Sequence, residues 1–325
     1  MKISVIVPIY NVEYFIARCT VSLMEQTLQN VEYIFVDDCS PDNSISLLKK
    51  TIASYPDRIP NVKILSHKCN EGLPTARNTG LKVATGDYIF HCDSDDWVEK
   101  DMLAQLYEKA IEKNADIVWC DWFLSFNKNE RYMKQPDYTT ASASLQGMLS
   151  GSMKYNVWNK LIKRSLYEKN GIWFPEGHGM GEDMTMIRLM ACAKHVAYVP
   201  KAFYHYVRLN TRAFTQAYSK RNLEDLRYNV EETIHFLEKR KGNTLQKEIA
   251  FFLLNIKLPF LITDNKKMYQ LWNEWYKEAN AYILKNKDLS LRLRLLQYAA
   301  AQRCYLLVWL YYKVVYKFIY GIIYK

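Results

Sequence analysis

Several absences narrow the reading before any motif is found. The chain has no Gly-x-Gly-x-x-Gly and no Gly-Lys-Ser/Thr segment, so neither the dinucleotide fingerprint nor a Walker-type phosphate loop is present, and a nicotinamide dehydrogenase and a P-loop ATPase are both disfavoured. Seven cysteines, an odd number with no Cys-x-x-Cys pair, offer neither a zinc site nor a disulfide framework, and are read as reduced, cytosolic thiols. Long apolar runs are missing at the amino end. The stretch Ile3–Ile9 is broken by Pro8 and Asn11, too soon for a signal-peptide core or a membrane span, so a first strand without an export signal is expected. No helix-turn-helix, zinc or RNA-binding signature accompanies the net charge of +10, and nucleic acid is therefore not expected as a partner.

What is present begins with the distribution of that charge. Residues 1–219 carry 25 Lys and Arg against 24 Asp and Glu, and residues 220–325 carry 19 against 10. The basic excess belongs to the last third, where an anionic membrane surface explains it more simply than a nucleic acid does. A length of 325 residues is compatible with about two domains.

The first part alternates strand-like and helix-like segments, the pattern of a mostly parallel sheet flanked by helices. Strands are expected at Ile3–Ile9, Val31–Asp37, Val62–Ser66, 87–92 and 115–122, with helices at 12–26, 43–54, 74–84 and 100–113 between them. The polar stretch 124–140 reads as a hairpin or loop that separates a half at 1–123 from a second at 124–218. Beyond Tyr218 the pattern changes to long helical segments, at 222–239, 244–262, 267–284 and 290–320, so 219–325 is expected to be a separate helical, basic region.

In an open parallel sheet, ligands gather at the carboxyl ends of the strands. Four polar loops fall there: Pro8-Ile9-Tyr10-Asn11; Asp37-Asp38-Cys39-Ser40; Asn70-Glu71-Gly72 leading to Ala76-Arg77-Asn78; and Asp93-Ser94-Asp95-Asp96. Asp93 and Asp95 are expected to reach a common ion through a turn of the chain at Ser94, because two steps of extended chain would hold their Cα atoms about 6.6 Å apart. Oxygen ligands of this kind suit Mn2+ or Mg2+. The competing reading is an acidic helix start, with Asp93 or Ser94 capping a segment from Trp97 onward. A phosphatase would place paired aspartates after the first strand, not the fourth.

As an ordered set, the motifs Ser4-Val5-Ile6-Val7-Pro8-Ile9-Tyr10-Asn11, Val36-Asp37-Asp38-Cys39-Ser40-Pro41-Asp42, Asn70-Glu71-Gly72 with Ala76-Arg77-Asn78-Thr79-Gly80, and Gly86-Asp87-Tyr88-Ile89 through Asp93-Ser94-Asp95-Asp96 resemble the family 2 glycosyltransferases, inverting enzymes of the GT-A fold. One departure is Cys39, where that family often carries Gly or Asn.

The resemblance implies sugar transfer from a nucleotide donor, UDP-linked by expectation, to a saccharide or lipid-linked acceptor in cell-surface polysaccharide or lipooligosaccharide synthesis. Pro8, Tyr10, Asp38, Asn70 and Arg77 would line the nucleotide site, with Asp38 accepting the uracil N3–H. Asp93 and Asp95 would form the Asp-x-Asp motif, with Asp95 as the direct ligand of a metal on the diphosphate. Glu182-Asp183 matches the acceptor-side acid pair, with Asp183 as general base and Glu182 orienting acceptor or sugar; the bland alternative is two acids favouring a helix dipole. Trp158, in Val157-Trp158-Asn159-Lys160-Leu161, could stack on a sugar or simply be buried. The run Tyr204 to Thr211 resembles a flexible loop in which Arg208 and Thr211 donate to phosphate oxygens.

Two other classes stay open. A nucleotidyltransferase on a related fold would want a Gly-rich, basic loop after the first strand. A non-catalytic, membrane-recruited binding module would be expected to have lost Asp95 or the Glu182-Asp183 pair. In the apolar run 304–324, Lys313 and Lys317 would each cost about 2.5–3.5 kcal/mol at a bilayer centre. The expectation is therefore a helix lying on the cytoplasmic membrane face, with a helix packed on the protein as its rival.

Overall fold

The computed structural model describes residues 2–208 and 219–320. Nine strands form one sheet: β1 (Ile3–Ile9), β2 (Val31–Asp37), β3 (Val62–Ser66), β4 (Tyr88–His91), β5 (Trp97–Val98), β6 (Ile117–Ser125), β7 (Glu130–Met133), β8 (Lys160–Lys163) and β9 (Val196–Val207). Their order is β3-β2-β1-β4-β8-β6-β9-β5, with β7 paired to β6. Six strands run one way, and β5, β7 and β8 run against them. The expected α/β class, a mostly parallel sheet flanked by helices with a helical carboxyl region, is what the chain adopts.

The first three expected strands match the observed ones, and the next two agree to within a few residues. β1 and β2 are mostly apolar, with Ser4, Glu32 and Asp37 the exceptions, because helices cover both faces of a parallel sheet, and every β1 residue is buried. Pro8 is tolerated in so central a strand because β1 pairs with β4 only from Ile3 to Ile6. Its nitrogen shares the Ile6 side, where Ile6 O accepts from Cys92 N, and lies beyond the ladder, so no hydrogen bond is lost.

The helices packed on this sheet are α1 (Ile16–Met24), α2 (Ser44–Ile52), α3 (Leu73–Val83) and α4 (Met102–Glu112). α1 begins later than its apolar pattern implies because the preceding amides are held by the next loop. Asn11 N donates to Ser40 Oγ (2.8 Å), Val12 N to Ser44 Oγ (3.0 Å) and Glu13 N to Asp42 Oδ2 (2.9 Å). Polar residues that look like surface turns thus pair the backbone of a neighbouring loop. The stretch 124–140 does contain a hairpin, formed by β6 and β7.

The chain divides into two compact units, Met1–Ala143 with Tyr155–Thr233, and Ser144–Lys154 with Ile234–Lys325. The divisions fall within α5 (Ala141–Ser150), after it between Lys154 and Tyr155, and, beyond α6 (Arg164–Asn170) and α7 (Thr185–Cys192), within α8 (Lys220–Lys241).

The second unit holds α9 (Gln246–Lys257), α10 (Lys266–Glu274), α11 (Leu291–Ala301) and α12 (Tyr305–Tyr311), the last continuing in wider, π-type turns over Tyr312–Tyr320. Phe252, Phe260, Tyr269 and Trp272 fill its core. Lys257 is buried there with Nζ donating to Trp275 O (2.8 Å) and Asn280 Oδ1 (2.7 Å), and burial pulls its ammonium down to about 7. The segment Ser144–Lys154 is tied in by Asn286 Nδ2 donating to Ser150 O (2.9 Å).

The long helices expected at 267–284 and 290–320 are broken. Tyr276 (φ 47°) and Arg303 (φ 58°) adopt left-handed backbone, which ends a helix as a glycine would. Among the described residues no helix is long and apolar enough to cross a membrane.

Candidate active site

Loops at the carboxyl ends of β1, β2, β3 and β4 hold the expected donor residues. Asp38 is buried, and its Oδ1 accepts from Glu71 N (2.8 Å) and pairs with His67 Nδ1 (2.7 Å), while Oδ2 accepts from Gly72 N (2.8 Å). Four lone-pair positions and three partners leave one acceptor site on Oδ2. His67, which shows no ligand spacing along the chain, is held from its other side by Thr79 Oγ1 (2.9 Å). Asn70 is exposed with Nδ2 3.5 Å from Asp38 O. Tyr10 is 47 % exposed above the buried Pro8.

After β4 the chain turns at Ser94-Asp95, closed by Asp96 N donating to Asp93 O (3.1 Å). The following residues Trp97–Val98 are strand, so the acids cap no helix and that alternative falls. Tyr204 from β9 fixes the turn: its hydroxyl accepts from Asp93 N (3.1 Å) and donates to Asp96 Oδ2 (2.7 Å), while Asp96 Oδ1 accepts from Val207 N (2.7 Å). Burial, together with the like charges of Asp95 and Asp93, pushes the Asp96 carboxyl well up. Asp96 is therefore a structural acid that anchors the turn from which Asp93 and Asp95 project.

Arg77, projecting from α3, is fully enclosed and donates through Nη2 to Asp93 Oδ1 (2.8 Å). Its Nε and Nη1 are shut off from solvent without a hydrogen-bond partner. Burial works against this charge, but the carboxylates of Asp93, Asp183 and Glu182 outweigh it and keep the guanidinium protonated. One cation thus faces both the Asp-x-Asp turn and the second acid pair.

Glu182 and Asp183 lie in a single 3-10 turn (Glu182–Met184) that leads into α7. Gly181 before them has φ 91°, and an added Cβ would lie 3.0 Å from Met184 Cε, so only glycine enters this turn without strain. Asn229 secures the approach, donating through Nδ2 to His178 O (3.1 Å) and Met180 O (2.9 Å).

Burial is the largest influence on both acids and raises both. For Glu182 the neighbouring Asp183 adds to the rise, and Arg77 opposes it for each. Asp183 Oδ1 is closed off with no hydrogen bond. A carboxylate so poorly solvated is a stronger base than one in water. Nearby Lys160 is buried, donating to Asn156 O (2.7 Å) and Asn159 Oδ1 (2.8 Å), and burial draws it down to about 7 while Asp183 works the other way. Sequence reasoning passed over Lys160; its place in the Trp158-Asn159-Lys160-Leu161 segment was the available signal.

Trp158 requires a correction. It is 5 % exposed, stacked on Tyr204 (4.4 Å between ring centroids) and Tyr206 (5.3 Å) and edge-on to Trp122 (5.0 Å). With 5 % of its surface exposed, the indole offers a sugar no open face, so Trp158 is core. Arg208 is exposed at the end of β9 with its amide on Ser125 O (2.9 Å). Thr211 lies outside the described residues.

Asp93 and Asp95 suit a divalent ion by donor chemistry. Both offer only oxygen, and Arg77 takes just one oxygen of Asp93. Among the described residues no three His, Cys, Asp or Glu side chains form a complete cage. Mg2+ and Mn2+ are commonly held by one or two carboxylates, with phosphates and water completing the shell.

Residues 4–192 match the model of Glycosyl transferase family 2. Putative glycosyltransferase EpsH of Bacillus subtilis (strain 168) is 31 % identical over 265 residues, covering 78 % of this chain and 74 % of that protein. TarS 1–349 of S. aureus, solved in complex with UDP-GlcNAc, superposes with a TM-score of 0.72 at 21 % identity, over 96 % of this chain and 92 % of that one. The mannosyltransferase PcManGT of Pyrobaculum calidifontis, solved with GDP-Man and Mn2+, gives a TM-score of 0.54 at 16 % identity, over 96 % and 87 %. A family match spanning the whole strand-end site, together with the GT-A-type sheet that carries it, makes this chain a member of glycosyl transferase family 2 and a glycosyltransferase.

Proposed function

We propose that the protein transfers a sugar with inversion from a UDP-linked donor to a saccharide or lipid-linked acceptor in cell-surface polysaccharide synthesis. The observation that carries this reading is the pair of raised, underbonded acids Glu182 and Asp183 coupled through Arg77 to the Asp-x-Asp turn. Asp183 takes the proton of the acceptor hydroxyl as its oxygen bonds to the anomeric carbon, and the bond from that carbon to the diphosphate breaks on the opposite face. Glu182 orients the acceptor. The free acceptor position on Asp38 Oδ2 takes the uracil N3–H, beside Pro8, Tyr10 and Asn70, and Arg208, with Thr211 beyond the described residues, is assigned to the phosphate oxygens of the donor. Arg77 holds Asp93 and favours negative charge developing beside it. Asp93 and Asp95 would hold Mn2+ or Mg2+, which supplies charge stabilisation to the leaving diphosphate. UDP-GlcNAc in the TarS structure and Mn2+ in PcManGT support the donor and metal assignments.

Release of UDP from a panel of UDP-sugars, with Mn2+, Mg2+ or EDTA, tests the reading. Wild-type protein should release UDP only with a divalent metal, and Asp95→Ala should lose about 10²–10³-fold in rate. Full activity of the variant in EDTA would sink the metal assignment.

The carboxyl region supplies a second part of the reading: peripheral contact with the inner face of the cell membrane. Leu306, Leu307, Val314 and Phe318 are 69, 58, 52 and 65 % exposed, in a region of basic excess that favours anionic lipid. Full-length protein should float with anionic vesicles and be released by high salt. Replacing Leu306 and Leu310 together by Glu should abolish flotation, and unchanged flotation would assign this face to another role.

A further inference from the structure

A cavity of about 470 Å³ in the catalytic unit, lined by residues of α3, the segment after α6, α7 and α8, takes no part in the chemistry above. Its volume falls within the range of about 300–1,000 Å³ typical of small-ligand sites. Two large aromatic residues stand at it in the open, Trp173 at 43 % and Tyr228 at 42 % exposure. Tyr228 is held at its ring and Trp173 at its backbone. Tyr228 is stacked on His178 (3.8 Å between centroids), and His178 is held by Asp225 Oδ1 (3.2 Å). The backbone of Trp173 is fixed by Arg188 Nη2 donating to its carbonyl (3.1 Å). An exposed aromatic ring held before binding, as that of Tyr228 is, loses little entropy when a ligand covers it.

The charges of the lining cancel. Lys82 and Arg188 are matched by Glu176 and Glu232, Lys82 Nζ lies 3.6 Å from Glu176 Oε1, and Glu232 counters the fall that burial imposes on Arg188. Balanced charge gives no net attraction for a phosphate or an acidic chain. Aromatic faces among fixed hydrogen-bonding groups suit instead an uncharged ligand with apolar ring faces and hydroxyl edges, which is a neutral saccharide.

The cavity is also joined to both halves of the candidate active site through its walls. Asn78, the neighbour of Arg77, is bonded to Phe174 in both directions (Nδ2 to O 2.9 Å, Phe174 N to Oδ1 2.9 Å), and the Phe174 ring lies 5.6 Å from the Arg77 guanidinium carbon. On the opposite wall, Asn229 holds the carbonyls of His178 and Met180, just before Glu182. We infer that this cavity is a secondary subsite that grips a neutral sugar unit of the acceptor away from the reacting hydroxyl. The identity of the ligand as acceptor rests on the transferase reading; its chemistry as a saccharide does not.

The test is direct titration of the full-length protein by calorimetry and saturation-transfer NMR, without donor or turnover. The probes are cellotetraose, maltotetraose and chitotetraose as neutral saccharides and a heparin tetrasaccharide as a charged one. At least one neutral probe should bind, more tightly than the heparin fragment. Trp173→Ala and Tyr228→Ala should each weaken binding at least about threefold and together about tenfold or more, within the range of aromatic contacts. UDP affinity and the thermal midpoint should hold, since both side chains are substantially exposed. Absence of binding by every neutral probe, preference for the heparin fragment, or unchanged affinity in the double variant would each overturn the inference. Failure of the transferase reading would appear separately, as absence of UDP release from any nucleotide sugar by wild-type protein.

Discussion

Desolvated acids stand at both ends of the central sheet, Glu32 buried and the pair Glu182 and Asp183 half-buried, and their surroundings differ in kind. At the amino end, Glu32 accepts from the Ser4 hydroxyl, Thr85 Oγ1 (2.9 Å) and Gly86 N (3.1 Å), and faces Lys2 (3.3 Å) and Lys63 (3.4 Å). Burial alone would raise its carboxyl, but the hydrogen bonds from Ser4 and Thr85 and the charge of Lys2 prevail and bring it down to about 2. At the carboxyl end, desolvation also acts on Glu182 and Asp183, but that donor set is missing, and both are raised. A saturated acid locks strands together, and an underbonded one keeps the basicity that proton transfer needs. Gly86 belongs to the first kind of site: an added Cβ would lie 2.6 Å from Ser4 N, so its small size permits the packing around Glu32.

The sharpest break of this contrast is Asp183→Asn. Transfer should fall about 10²–10⁴-fold, the range of general-base catalysis, while UDP-sugar affinity measured by calorimetry persists. Loss of affinity with turnover retained at saturation would move Asp183 to the donor site. The pH dependence should separate the two ends as well. Activity should rise with pH as the raised pair ionises. Stability should fall over that same window, because an acid whose folded pKa is raised favours the folded state below its unfolded pKa and loses that contribution as pH climbs through the folded value. Glu32 acts in the opposite sense: its contribution is present above the ordinary glutamate range and is lost as pH falls towards about 2. Denaturation midpoints of wild type and Asp183→Asn across pH 4 to 9, about the range that spans the raised pair, should converge at the acid end and diverge at the alkaline end.

A smaller change sharpens the comparison from the amino end. Glu32→Gln should cost about 2 kcal/mol, the scale of a buried charge-assisted hydrogen bond, read as a shift in urea midpoint, with the rate of UDP release intact. A fall in rate without a fall in stability would contradict the structural assignment of Glu32.

The smallest effect concerns strain beside the donor loops. Cys39 has φ 58°, a backbone region costing about 1–2 kcal/mol for most L-residues and less for Asn. Cys39→Asn should raise stability by up to about 1 kcal/mol, visible as a higher thermal midpoint. An unchanged or lower midpoint would show that the Cys39 side chain compensates for the strain. The Gly or Asn that the family often carries at this position thus has a backbone reason.

Local pattern was enough for the sheet and for the loops that converge on it. β1, β2 and β3 are short apolar runs bounded by polar turns, and the period of two or of continuous burial is written in adjacent residues. The motifs Asp38, Asp93-Ser94-Asp95 and Glu182-Asp183 were legible as residue types in order, which is why their chemistry could be anticipated. The ends of the carboxyl helices were not. Breaks at Tyr276 and Arg303 involve neither Gly nor Pro, so nothing local announces a left-handed residue, and packing in the second unit selects it.

The sequence by itself determined the fold class, the family and the acids available for catalysis, because these depend on hydrophobic period and on which side chains occur near strand ends. Only tertiary structure decided which acid does what. Asp96 and Asp93 are three residues apart, yet one is claimed by Tyr204 and Val207 from β9 and the other by Arg77 from α3. Trp158 is enclosed by Tyr204, Tyr206 and Trp122, partners up to 48 residues away in the chain. Burial and hydrogen bonding are sums over neighbours brought together by folding, and they fix the protonation and the exposure on which a residue's role depends.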